Sequence, residues 1–176
     1  MSVSFSVIGK QNKENGALWE KMIEESLTTL YGDVCICEKT PEPFHILGRE
    51  KNIVKGYYEK KGQPDFKGVL AGGQCLCFEA KCTITDRINQ NCVTDLQWKT
   101  LDQYDNLGAL CFVMVCFSFE EYCRVPWKDW KEMKKIFGHK YIGRKECSQY
   151  KIKTKGHYVC FLDGVEVFDK SVTAHS

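Results

Sequence analysis

No stretch of this chain is apolar for long enough to cross a bilayer, which excludes a helical membrane protein. Its first residues, Met-Ser-Val-Ser-Phe-Ser-Val-Ile-Gly-Lys, lack the basic start and long apolar run of a secretory signal, so a cytoplasmic chain with no membrane partner is expected. No repeat and no low-complexity segment is present. Cysteine is plentiful, with eleven residues, yet no Cys-x-x-Cys pair occurs, and that spacing excludes a zinc ribbon. An odd count in a chain without an export signal also argues against a disulfide scaffold, so reduced thiols are expected. A net charge of +2 excludes a uniform cationic coat for nucleic acid.

What remains is an ordinary globular composition, 43% hydrophobic and 27% charged, in 176 residues: one domain spanning 1–176. Cys35, Cys37, Cys75, Cys77, Cys111 and Cys116 fall inside apolar, strand-like runs, where a thiol acts as a small hydrophobe. Basic residues gather in two places, between Arg49 and Lys67 and between Lys131 and Lys155. Each run taken alone reads more simply as a solvated surface.

From Gly16 to Tyr31, Trp19, Met22, Ile23, Leu27 and Leu30 recur at helical spacing. Val34 to Cys37 reads as a short buried strand closed by Pro41-Glu42-Pro43. Asp65 to Leu70 and Gln74 to Lys81 are two strands joined through Ala71-Gly72-Gly73, a hairpin. A helix over Thr94 to Leu107 ends at Gly108, and Leu110 to Phe117 is a central strand buried on both faces, which Tyr122 to Val125 can extend or pair with. Pro126 opens a third helix through Trp127, Trp130, Met133 and Phe137, while Tyr158 to Leu162, Asp163-Gly164 and Val165 to Phe168 suggest a terminal hairpin.

The chemistry is carried by Pro64-Asp65, thirteen intervening residues, and Glu79-Ala80-Lys81. If the hairpin turns about Gly72, Asp65 and Glu79 face each other across adjacent strands, with Cβ atoms about 4.5–5.5 Å apart. Two carboxylates so placed repel unless a positive charge lies between them. A magnesium ion, with Mn²⁺ as a substitute, takes such oxygen ligands, with the Ala80 carbonyl as a third and room for water and a scissile phosphate. Lys81 projects from the same strand face as Glu79 and is placed to orient or help deprotonate the attacking water. Glu20 lies one turn beyond Gly16 on the first helix, and Gln97 on the second offers an amide to phosphate or water. Alone, each of these residues reads as surface; the combination is what points to a reaction centre.

These pieces, in this order, resemble the PD-(D/E)XK nuclease superfamily, and within it the RecU-like and phage Holliday junction resolvases. The resemblance runs from about Asn15 to Lys155 and rests on Gly16 to Glu20, Pro64-Asp65, Phe78 to Lys81, Leu96-Gln97, Cys111 to Val115 and Lys140 to Lys145. It implies an α/β fold with a mixed central sheet flanked by helices, in the manner of restriction endonucleases. It implies a homodimer making paired symmetric nicks in four-way DNA, in a bacterial cell or a phage-infected host. It assigns Asp65 and Glu79 to the metal, Lys81 to activation of the nucleophile, and Glu20, possibly through water, and Gln97 to supporting roles. It also implies a protruding stalk, for which the candidate is residues 44–63. Arg49, Lys51, Lys55, Arg144 and Lys145 are candidate phosphate contacts. A restriction- or repair-type endonuclease on duplex DNA is the alternative enzyme, and a branched-DNA-binding protein without turnover is the alternative outside enzymes.

Overall fold

The computed structural model describes residues 5–58 and 62–166. Helix α1 (Phe5–Tyr31) buries Trp19, Ile23, Leu27 and Tyr31, a spacing of four that keeps one stripe on one face. It starts at Phe5 and not at Gly16, because no proline between them interrupts the backbone ladder. Strand β1 (Cys35–Lys39) is followed by the hairpin β2 (Phe44–Glu50) and β3 (Ile53–Tyr58), then by β4 (Phe66–Leu70) and β5 (Cys75–Thr83). Strand β6 (Arg87–Asn89) leads to helix α2 (Asp95–Asn106), β7 (Leu110–Phe117) and β8 (Glu121–Pro126). Helices α3 (Trp127–Lys131) and α4 (Met133–Phe137), strand β9 (Tyr141–Gly143), helix α5 (Arg144–Cys147) and the short strands β10 (Thr154–Lys155) and β11 (Tyr158–Val159) complete the chain.

The main sheet has the order β1-β4-β5-β7-β8; only β5 and β7 pair in parallel, and α2 makes the crossover that a parallel step requires. It is the expected mixed sheet flanked by helices. Strand β7 reads as continuous hydrophobicity because it is covered twice. Phe112, Met114 and Cys116 join the α1 stripe, whereas Cys111, Val113 and Val115 pack with Leu101 of α2 and Trp127 and Trp130 of α3. Burial of each such side chain contributes about 1.5–3 kcal/mol, so a charge at Trp19 or Val113 would break the layer. All eleven cysteines are free thiols; of those expected in apolar runs, Cys35, Cys77, Cys111 and Cys116 are buried, Cys37 is half-buried and Cys75 is exposed. No helix among the described residues is long and apolar enough to cross a membrane.

Two expectations are corrected, and one unassigned segment gains a structure. The helix expected from Pro126 through Phe137 is two short ones, because the Gln90 side-chain amide donates to the carbonyls of Trp130 (2.6 Å) and Lys131 (3.1 Å) and draws them out of a continuous ladder. The terminal hairpin lies earlier than expected: β10 pairs with β11 across Gly156, whose φ is 63°. At its end Val159 N–H donates to Ser26 Oγ, and beyond it Leu162 N–H donates to Tyr31 Oη, so α1 takes the donors a partner strand would need. Residues 167 and 168 of the expected second strand lie outside the described residues. The segment 44–58, which had no predicted structure, is a hairpin with a bulge at Leu47, and Lys51 takes the positive φ of its turn. Residues 44–57 are all exposed. Gly56 is fixed by close approach, since a Cβ there would collide with the His45 carbonyl.

Candidate active site

The β4–β5 register is Phe66↔Phe78, Lys67↔Cys77, Gly68↔Leu76 and Val69↔Cys75, so the next positions outward place Asp65 opposite Glu79. The register is held from the other face of the sheet. Phe66 stacks on Phe78 at 4.8 Å and Phe78 on Phe112 at 4.7 Å, pairs worth about 0.5–1.5 kcal/mol each beyond their buried area. A slip of one residue would turn both the ring stack and the carboxylates to the wrong side.

Asp65 is 4% exposed, Glu79 0% and Gln97 2%. Glu79 Oε1 accepts from Lys81 Nζ at 2.6 Å and from Gln97 Nε2 at 2.7 Å, and its Oε2 accepts from the Asp65 backbone N–H at 3.2 Å. Asp65 Oδ2 accepts from Ala80 N–H at 3.0 Å. In a strand the N–H and C=O of one residue point to the same neighbour, so the Ala80 carbonyl also faces the Asp65 side, just where β4 has ended. The Gln97 amide oxygen is taken by Thr94, through its N–H at 3.0 Å and its hydroxyl at 3.1 Å.

Burial, and then the negative charge of Asp65, push the Glu79 carboxyl up to about 8; Lys81 offsets only part of this. Burial works against the charge of Lys81, but the ionised Glu79 beside it outweighs burial and holds its pKa above the ordinary value. The two shifts describe one interaction seen from two sides: a buried acid pair that takes up a proton when no other positive charge is supplied. Two buried carboxylates and a backbone carbonyl on one side are hard oxygen donors, a set that fits a divalent cation. Among the described residues, no group of three or more His, Cys, Asp or Glu side chains is gathered for a metal, so the acid pair stands without a third side-chain ligand of those types.

Glu20 sits at the edge of this arrangement. It pairs with Lys39 at 2.6 Å, Lys39 is in register with Phe66, and the next N–H, of Thr40, donates to the Asp65 carbonyl at 2.7 Å. A Cβ on Gly16 would meet nothing within 4 Å, so packing does not require the glycine one turn before Glu20. The candidate phosphate contacts are not brought together. Arg49, Lys51 and Lys55 are exposed on the β2–β3 hairpin, where Lys55 pairs with Glu50 at 3.5 Å. Lys145 is exposed on α5, but Arg144 is committed to Glu120 (3.1 Å), Asp86 (3.4 Å) and Glu121 (3.7 Å), and a phosphate would have to displace three carboxylates.

Sequence reasoning missed Lys39 and Thr94. Nothing in the sequence marks Lys39 as the partner of Glu20. Thr94 was legible, because Thr94-x-x-Gln97 is the signature of a capping box, and both of its hydrogen bonds form.

The profile of the family described as RecU, Recombination protein U, matches residues 14–170. Among solved structures the chain is similar to Hjc, a Holliday junction resolvase of the archaeal hyperthermophile Archaeoglobus fulgidus. The identity is 12% and the TM-score 0.48, with 77% of this chain and 93% of that chain covered. None of the curated proteins matches significantly.

Proposed function

This chain belongs to the RecU family of recombination proteins, and we propose from that premise that it is an endodeoxyribonuclease that resolves Holliday junctions. The observation that carries the chemistry is the buried Asp65–Glu79 pair with Lys81 and Gln97 hydrogen-bonded to one of its oxygens. The Asp65 and Glu79 carboxylates and the Ala80 carbonyl would hold a divalent cation, Mg²⁺ with Mn²⁺ as a substitute, which when bound would supply a Lewis acid for phosphodiester hydrolysis.

The chain's own groups do the rest. Asp65 and Glu79 fix where the positive charge sits. Lys81 Nζ, anchored on Glu79 Oε1, orients the attacking water for in-line displacement and offsets the negative charge that grows on the phosphoryl oxygens. Gln97 keeps the Glu79 carboxylate from turning. Glu20 has a supporting place at the rim, held by Lys39 beside the Asp65 backbone.

Substrate choice is assigned to the β2–β3 hairpin. A ribbon exposed along its length, with Arg49, Lys51 and Lys55 on it, is the stalk of this protein and reaches into the branch point. These residues and Lys145 meet phosphates and position the DNA without reading its sequence. A homodimer presents two such sites to two opposed strands, matching the two-fold symmetry of a four-way junction. The test is a panel of labelled duplex, nicked, flap and four-way DNAs with Mg²⁺. Paired cuts confined to the four-way substrate are expected, and equal cutting of all four would end the junction assignment.

A further inference from the structure

We propose that Thr94 is a positioning residue for cleavage: its N–H and hydroxyl lock the Gln97 amide in the one orientation that presents a hydrogen to Glu79. This rests on the reading of Asp65, Glu79 and Lys81 as the reaction centre. The two ends of a glutamine amide have nearly the same shape, so packing alone cannot choose between them. Hydrogen bonding does. The Thr94 backbone nitrogen is a donor by its covalent structure, and it lies 3.0 Å from Gln97 Oε1 with the Thr94 hydroxyl 3.1 Å away. The oxygen is therefore held at that end, and Nε2 falls 2.7 Å from Glu79 Oε1. Reversal would set an amide oxygen against a carboxylate and an NH₂ against an N–H at once. Gln97 is 2% exposed, so water would not relieve either contact.

The lock reaches the reaction through Glu79. With Lys81 and Gln97 both donating to Oε1, the other oxygen, Oε2, is the one turned toward Asp65. The same threonine also starts α2, because its Oγ accepts from the Gln97 N–H at 3.3 Å. One residue thus sets both where the helix begins and which end of its third side chain meets the carboxylate. Thr94 is exposed, on the wall of a cleft of about 730 Å³ shared with Asn89, Asn91, Trp98 and Lys140. Its substitution disturbs no core packing.

Thr94→Asp separates the two roles. Aspartate caps a helix as well as threonine does, but its side chain has no hydrogen to give Gln97 Oε1 and sets a negative charge beside it, so only the backbone N–H is left to hold that oxygen. In metal-free, ¹⁵N-labelled protein, the Gln97 side-chain amide is expected to show a hydrogen-bonded shift and slow exchange, and Thr94→Asp to lose both while the thermal midpoint stays near wild type. Mn²⁺ affinity should fall about tenfold, and the Mg²⁺ concentration for half-maximal junction cleavage should rise to match. Thr94→Ser should restore all three readings. Thr94→Val, which removes the hydroxyl at constant shape, must move the amide signal in the same sense and serves if the aspartate variant does not fold. An unmoved Gln97 amide in a folded variant, or wild-type Mn²⁺ affinity in Thr94→Asp, overturns the lock. Failure of the wild-type protein itself to take up Mn²⁺ or cut junctions overturns the function on which it rests.

Discussion

The end of the β4–β5 hairpin and the β2–β3 hairpin are neighbours in sequence and opposites in construction. At the first, the carboxylates of Asp65 and Glu79 are buried, hydrogen-bonded and held in register by rings on the opposite face of the sheet. At the second, residues 44–57 are all exposed, and the strands hold chiefly each other. Chemistry at a phosphate needs groups fixed to within a fraction of an ångström. Engagement of a branched DNA needs reach. On the proposed reading the molecule separates the two demands, and substitutions should separate them as well.

The largest effects belong to the buried end. Asp65→Ala, Glu79→Ala and Lys81→Ala should each lower the rate of junction cleavage by at least about 10²- to 10³-fold. Junction binding, read by gel shift without metal, should remain; its loss together with cleavage would erase the division of labour. Next comes the hairpin. Replacing residues 46–54 by a short turn should remove the preference for four-way over duplex DNA while slow metal-dependent cutting persists, as a side-by-side cleavage assay would show. Gln97→Ala should weaken Mn²⁺ binding by roughly 10-fold through the freed Glu79 carboxylate, measured by calorimetry. Glu20→Ala should cost less, since its ion pair with Lys39 meets the site through the backbone around Asp65. Lys51→Ala and Lys55→Ala should each reduce the salt slope of junction binding by about one, with the cleavage rate of bound DNA unchanged.

A separate effect is a matter of pH. Glu79 titrates near 8 in the folded, metal-free protein against an ordinary value of 4.5. The folded state therefore binds the extra proton between those values. Stability from this group is complete below about pH 4.5 and declines as pH rises toward 8. Thermal melts of metal-free protein should show that decline, Glu79→Gln should flatten it, and Mg²⁺ should oppose it most strongly at the alkaline end.

How much of this was legible depends on whether a neighbour or the segment itself decides the local structure. The Asp65–Glu79 register could be read because Ala71-Gly72-Gly73 sets the turn and both strands alternate about it. Strand β7 could be read because burial on both faces leaves an unbroken apolar run. The β2–β3 hairpin could not, since a ribbon without a buried face shows no alternation: Ile46, Leu47, Ile53 and Val54 are apolar and all exposed. The break between α3 and α4 was hidden for another reason, that it is imposed by Gln90 from forty residues away. The terminal strands were misplaced because Ser26 and Tyr31 of α1 take up their backbone donors. At the site, Glu79 and Lys81 followed from strand parity, whereas the pairing of Glu20 with Lys39 depends on how α1 lies across the sheet.

In the proposed mechanism Asp65 and Glu79 together hold a divalent cation beside Lys81. Calorimetric titration of Mn²⁺ into the wild-type chain, Asp65→Ala and Glu79→Ala tests it directly. One site per chain in the wild type, lost in both variants, is the result predicted. Uptake that survives either substitution, or no uptake by the wild type, would contradict it.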